Sequence, residues 1–167
     1  MERSKRGAGL TYRPLTSPWR PGLELFTFAG AWTPPAERIE AGWGAWDEER
    51  LCGALLLERA GPDGMLHGPV VIAPADASPE VAIETAAELL ADALAHAPAA
   101  GVETVFTRPQ GLDQIWVRLG FIPVPEAELP APLRGQPGIG LFGWRGGSAL
   151  WTMARRGSSR PGALSAR

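Results

Sequence analysis

The chain has 167 residues, 45% of them hydrophobic and 20% charged, which predicts one ordinary globular domain with a real core and excludes a wholly disordered chain. No apolar run approaches the roughly 20 residues of a membrane span, and residues 1–9 lack a stretch of signal-peptide length, so the protein is read as cytoplasmic. The single cysteine, Cys52, precludes an intrachain disulfide and argues against a cysteine-based zinc site.

Residues 1–9 are expected to be a flexible basic arm, residues 10–145 the folded domain, and residues 146–167 a basic tail rich in Gly, Ser and Arg. Leu10 to Leu15 reads as a first strand, with Tyr12 on it, ended by Pro14 and Ser17-Pro18. Leu23 to Ala31 reads as a short helix, and Pro34-Pro35 is expected to open another through Ala41. Trp43 to Trp46, a polar turn at Asp47 to Arg50, and Leu51 to Leu57 read as a hairpin. Trp43 and Trp46, three apart on a strand, face opposite sides. After the turn Gly61-Pro62-Asp63-Gly64, Met65 to Ala73 is a strand with the β-branched run Val70-Val71-Ile72.

Ser78 is placed as a helix N-cap with Pro79 at the first helical position. Ile83, Ala86, Leu90, Ala93, Leu94 and Ala97 then fall on one helical face. Val102 to Thr107 is the next strand, stopped by Arg108-Pro109. Leu112 to Leu119 is a short helix closed by Gly120, and Phe121 begins a further strand. A proline-rich connection, Pro123 to Gly138, leads to a last strand from Ile139 to Trp144. Strands alternating with single helices imply βαβ units on a mixed sheet.

Charge is unevenly placed. Residues 1–30 carry net +3, residues 31–128 net −11, and residues 129–167 net +6. A basic nucleic-acid stripe is absent from the body, which disfavours nucleic acid as a partner. Glu80, Glu84, Glu88 and Asp92 form an acidic ladder, with no Lys or Arg between Leu66 and Thr107 to relieve it. It reads as a solvated face, or as a surface for the arginine tail, a second copy of the chain or a basic partner.

Three segments in order resemble the GNAT superfamily of acyl-CoA N-acyltransferases. Leu51-Cys52-Gly53-Ala54-Leu55-Leu56-Leu57 is similar to a family strand in which Gly interrupts an apolar run. Gly68-Pro69-Val70-Val71-Ile72-Ala73-Pro74 resembles the strand that follows. Trp116-Val117-Arg118-Leu119-Gly120-Phe121 resembles the closing Tyr-x-x-Leu-Gly-Phe segment. The resemblance covers roughly residues 42–125. It implies a mixed, twisted α/β sheet flanked by helices, and acyl transfer from acetyl-CoA or another acyl-CoA to a small-molecule or peptide amine, without a metal.

The resemblance also assigns candidate site residues. His67, and next Glu58, sit where a base would take the proton from the substrate amine. Backbone groups around Val70, Val71 and Ile72 would hold the pantetheine arm between two splayed strands. Ser78 stands at the start of the helix where the family receives pyrophosphate, and Trp116 stands at the family's tyrosine position. The sequence departs from the family at the last two. Ala75-Asp76-Ala77-Ser78-Pro79-Glu80 has no Arg, Gln or Gly, and Asp76 and Glu80 place negative charge where phosphate would sit. Trp116 cannot serve as a titrating acid. These departures support a second expectation, a GNAT-fold binding or assembly module without catalysis. Cys52 reads as a core residue.

Overall fold

The computed structural model describes residues 4–6, 9–109, 111–138 and 140–146. They form an eight-stranded sheet flanked by helices. The strands are β1 (Ser4–Arg6), β2 (Leu10–Leu15), β3 (Ile39–Asp47), β4 (Arg50–Ala60), β5 (Asp63–Val71), β6 (Thr104–Thr107), β7 (Ile122–Pro123) and β8 (Phe142–Trp144). The helices are α1 (Arg20–Phe28), α2 (Pro79–Ala99) and α3 (Asp113–Arg118). The spatial order is β1-β2-β3-β4-β5-β6-β8-β7. Every neighbouring pair is antiparallel except β5 and β6, which run parallel with α2 as their crossover.

Most elements lie where the sequence places them, with instructive differences. Part of the N-terminal arm pairs with β2 as β1, a strand that its polar composition does not announce. The helix expected after Pro34-Pro35 is a single 3₁₀ turn, Ala36–Arg38, because Ile39 already belongs to the long β3. α1 starts earlier than expected, with Pro21 in its first turn. β7 begins at Ile122 rather than Phe121, since the Phe121 ring is buried edge-on against Trp116, their centroids 5.0 Å apart. Ile139 and residues 147–167 lie outside the described residues, so the last strand is Phe142–Trp144, and the tail expectation concerns residues outside the description.

The sheet has two apolar faces. On one, α2 lays Leu89, Leu90 and Ala93 over Leu55, Leu57 and Leu66, with Tyr12 and Trp43 in the same cluster. Gly53 is the reason α2 can come this close. A Cβ there would meet Ala45 Cβ, Leu89 Cδ1 and Thr85 Cγ2, each at 3.2 Å, so a side chain at this position would push α2 and β3 back by a few tenths of an ångström. On the other face, α1 seats Phe26 over Ala54 and Leu56. Trp43 and Trp46 pack into these two opposite clusters, as strand alternation requires.

The buried stripe of α2 is turned slightly from the expected one. Thr85, Ala86, Leu89, Leu90, Ala93 and Ala97 are covered, whereas Ile83 is exposed. Glu80 and Glu84 are exposed on α2, and Glu88 and Asp92 are half-buried and engaged with partners. Cys52 is half-buried at the edge of the α2-side core, its thiol donating to the Ala45 carbonyl at 3.3 Å, and burial pushes its pKa up, which fits a packing role.

Candidate active site

The parallel pair β5 and β6 is in register from Asp63↔Thr104 to Leu66↔Thr107 and no further. Thr107 Oγ1 donates to the Leu66 carbonyl at 3.4 Å, the last link between them. β6 then ends at Arg108-Pro109, where proline cannot supply a ladder donor, while β5 runs on to Val71 along β4. The two strands therefore part at their carboxyl ends, the place where open α/β sheets bind ligands.

A cavity of about 90 Å³ lies in this opening. Its walls come from Leu66 to Val70 of β5, Phe26 and Trp32 on the α1 side, Leu112 and Trp116 of the α3 region, and Arg108, Gln136 and Pro137. Gly68 shapes the floor. Its φ is +99°, and a Cβ there would stand 3.0 Å from Ala54 O, Phe26 Cζ and Val70 N, so no side chain fits without displacing the backbone. The β4–β5 register shifts between Ala54 and Leu56 at the same level, which lets β5 bend away from β6.

His67 and Glu58, both placed in the site on sequence grounds, touch. The β4–β5 register pairs Leu56 with His67 and Glu58 with Met65, so Glu58 and His67 are diagonal neighbours on the α1-side face. Glu58 is fully buried, and its Oε1 lies 3.0 Å from His67 Nε2. Gln136 donates from Nε2 to the same oxygen at 2.8 Å. Oε2 meets the Arg38 guanidinium as an ion pair outside hydrogen-bond geometry, and Arg38 also reaches the Pro132 carbonyl.

A carboxylate buried alone would protonate. Burial does push Glu58 up, but the hydrogen bonds from His67 and Gln136, with the charges of His67 and Arg38, outweigh it and hold Glu58 below the ordinary carboxylate value. An ionised Glu58 accepts, so His67 Nε2 is the donor at that contact. His67 lines the cavity, with the Trp32 ring 5.5 Å from its own.

The other sequence-placed residues are used differently. Val70 lines the opening. The Ile72 N–H is donated to the Cys52 carbonyl of β4 at 2.7 Å, so by strand alternation Val71 is the residue whose backbone groups turn away from β4. Ile72 is thereby corrected as a source of a free amide, because pairing with β4 has consumed it. Ser78 has the extended backbone of an N-cap and is exposed, but its side chain makes no capping bond to α2. Trp116 is buried, and its indole N–H is donated to the Gly111 carbonyl at 3.3 Å, closing the loop before α3. The ring walls the cavity, but its single donor is already engaged.

Four participants escaped the sequence reading: Arg38, assigned to a helix that does not form; Gln136, inside the proline-rich connection; Trp32; and Arg108. The Arg108 guanidinium is held by Glu126 through both terminal nitrogens, which raises its own pKa and lowers that of Glu126.

Where β6 has ended, the backbone of Val71 turned away from β4 is the group here that could pair with an amide-bearing stem. The start of α2 does not suit a diphosphate. Pro79 removes a donor, and Asp76 and Glu80 are exposed there and already complement the helix dipole. No group of three potential metal ligands occurs among the described residues, and no helix among them is long and apolar enough to cross a membrane.

This strand order, with its single parallel pair splayed over a cavity, is the architecture of the GNAT acyltransferases, and comparison with solved structures agrees. An acetyltransferase of the GNAT family from Staphylococcus aureus superposes with a TM-score of 0.53 at 12% identity, over 63% of this chain and 66% of that one. N-acetylglutamate synthase from Neisseria gonorrhoeae, complexed with coenzyme A and N-acetyl-glutamate, gives 0.60 at 16% identity over 84% of this chain; the match spans only 36% of the synthase. The catalytic domain of a Tetrahymena histone acetyltransferase, in complex with coenzyme A, gives 0.58 at 12% identity over 84% of this chain and 94% of that one. No protein-family model matches the chain, and no curated protein matches it in sequence. The chain thus has the GNAT fold, carried by a sequence far from its structural neighbours.

Proposed function

We propose that the protein is an N-acyltransferase that moves an acyl group from an acyl thioester of the coenzyme A type to an amine. The observation that carries this reading is the Glu58–His67 pair, a buried carboxylate orienting an imidazole at a cavity where two parallel strands part. The thioester stem lies along the far end of β5 near Val70 and Val71. The acceptor enters beside Trp32. His67 Nδ1 takes a proton from the amine nitrogen, the nitrogen attacks the thioester carbonyl carbon, the C–N bond forms and the C–S bond breaks. The proton held by His67 passes to the departing sulfur, directly or through water. Glu58 stabilises the imidazolium that forms in between.

The test is acyl transfer to an amine panel with acetyl-CoA, comparing the natural chain with His67→Gln. Loss of general-base assistance lowers the rate by a factor of about 10²–10⁴. Transfer at equal rates in both proteins would remove His67 from the mechanism.

A second reading has its own support: a GNAT-fold binding or assembly module without catalysis. The acidic, proline-bearing start of α2 and the engaged Trp116 indole both favour it. Calorimetry with acetyl-CoA separates the two. No heat at millimolar ligand favours the module.

A further inference from the structure

We infer that the acyl donor is recognised through its pantetheine stem and not through the nucleotide beyond it. This rests on the acyltransfer reading and narrows the donor to a class, acyl-pantetheine thioesters, whatever the stem is attached to.

The stem carries amides, each with a carbonyl and an N–H, and the cavity between β5 and β6 offers the complement of both. Gln136 gives its Nε2–H to Glu58 Oε1 at 2.8 Å. That contact fixes the carboxamide, because an ionised carboxylate only accepts. The Gln136 carbonyl oxygen has no partner among the described residues and is left to accept an N–H at the cavity wall. Arg108 stands on the same wall. Its Nη1 reaches Glu126 and the Gly140 carbonyl, and its Nη2 gives one of two N–H groups to Glu126. The second Nη2–H is a donor for a stem carbonyl. The Val71 backbone, turned away from β4 where β6 has ended, adds a strand edge. A stem amide that leaves water here finds both a donor and an acceptor, which offsets the cost of its burial.

The nucleotide meets the opposite. A stem lying along β5 leaves the sheet where the chain turns into α2. Asp76, Glu80 and Glu84 are exposed there. The β3–β4 turn lies against the same place, since Asp47 lines one cavity of about 170 Å³ together with Val71, Ala77 and Val81. The cation of that cavity, Arg50, is paired with Asp47 at 3.1 Å. Pro79 withholds an N–H from the helix start. Phosphates placed here would face like charges and lose water without gaining donors, so the nucleotide adds no affinity.

The experiment uses the full chain and three probes: coenzyme A, pantetheine, and a pantetheine in which the amide nearest the sulfur is replaced by an ester. Calorimetry reads binding, and the acetyl thioesters of the first two read transfer to the amine panel. Pantetheine should bind within about threefold of coenzyme A, and raising salt from about 0.05 M to about 0.5 M should not weaken coenzyme A. The ester stem lacks the N–H that Gln136 accepts and should bind about tenfold more weakly, a preference that Gln136→Leu should abolish. Three results overturn the inference and leave acyl transfer standing where acetyl-CoA is turned over: coenzyme A tighter than pantetheine by about tenfold or more, amide and ester stems bound alike by the natural chain, or an amide preference that survives Gln136→Leu. Amide-selective binding of pantetheine without transfer to any amine upholds recognition of the stem and overturns the acyltransfer reading instead. Binding of neither coenzyme A nor pantetheine at millimolar concentration overturns both.

Discussion

Glu58→Gln is the most informative single substitution, because it keeps the shape of the buried side chain and removes its charge. In the natural chain Glu58 receives His67 and Gln136 on one oxygen and faces Arg38 with the other. Its pKa in the folded state lies below the ordinary value. The unfolded chain therefore binds the proton first as pH falls. The stabilisation is complete above the unfolded value of about 4.3 and drains away as pH drops through the folded value. The amide analogue loses two charge-assisted contacts. Each hydrogen bond to a charged group contributes about 1.5–3 kcal/mol, but Arg38 is 40% exposed and can turn to solvent, so the loss at pH 7 should be near the lower end, about 2 kcal/mol. Urea unfolding of both proteins from pH 7 to pH 3 measures it. The stability gap should narrow as pH falls from the unfolded carboxylate value through the folded-state value of Glu58. A gap that does not change with pH, or a variant as stable as the natural chain, would falsify the ionised, hydrogen-bonded Glu58. The same variant should transfer acyl groups at least about 10²-fold more slowly if His67 is the base, since a neutral amide, its carbonyl oxygen facing the donors His67 and Gln136, no longer stabilises an imidazolium.

Gly68→Ala should cost about 1–3 kcal/mol in urea unfolding, because φ is +99° and the new Cβ would press on Ala54 O, Phe26 Cζ and Val70 N; a neutral result would show that the strand can relax there. Arg59→Ala should cost about 1–3 kcal/mol, because Arg59 ties β4 to the end of α2 through the carbonyls of Ala100 and Gly101 while pairing with Glu40. Hydrogen exchange should show the last turn of α2 opening first.

The architecture was largely legible because its signals are local. The Val70-Val71-Ile72 run marks a strand, the spacing of Ala86, Leu90, Ala93 and Ala97 marks a helix face, and Arg108-Pro109 stops β6. Each follows from periodicity or from the chemistry of one residue. Local rules misled where a longer-range pairing competed, as at Ala36–Arg38, where the pull of Ile39 into β3 left only one turn of helix.

The site was legible as a set of residues and not as an arrangement. His67 and Glu58 could be picked by type and position, but their contact is decided by register, and a one-residue slip of β4 against β5 would send them to opposite faces. Arg38 and Gln136 lie far from Glu58 in sequence, on segments with no periodicity, so nothing short of the folded chain brings them to it. The amino-acid order by itself determined the alternation of strands and helices and the glycine that interrupts the apolar run of β4, since each depends on neighbours along the chain. Only the tertiary structure decided that Glu58 is held below the ordinary carboxylate value by His67, Gln136 and Arg38, and that the Ile72 and Trp116 donors are spent, because hydrogen-bond partners are assigned by packing in space.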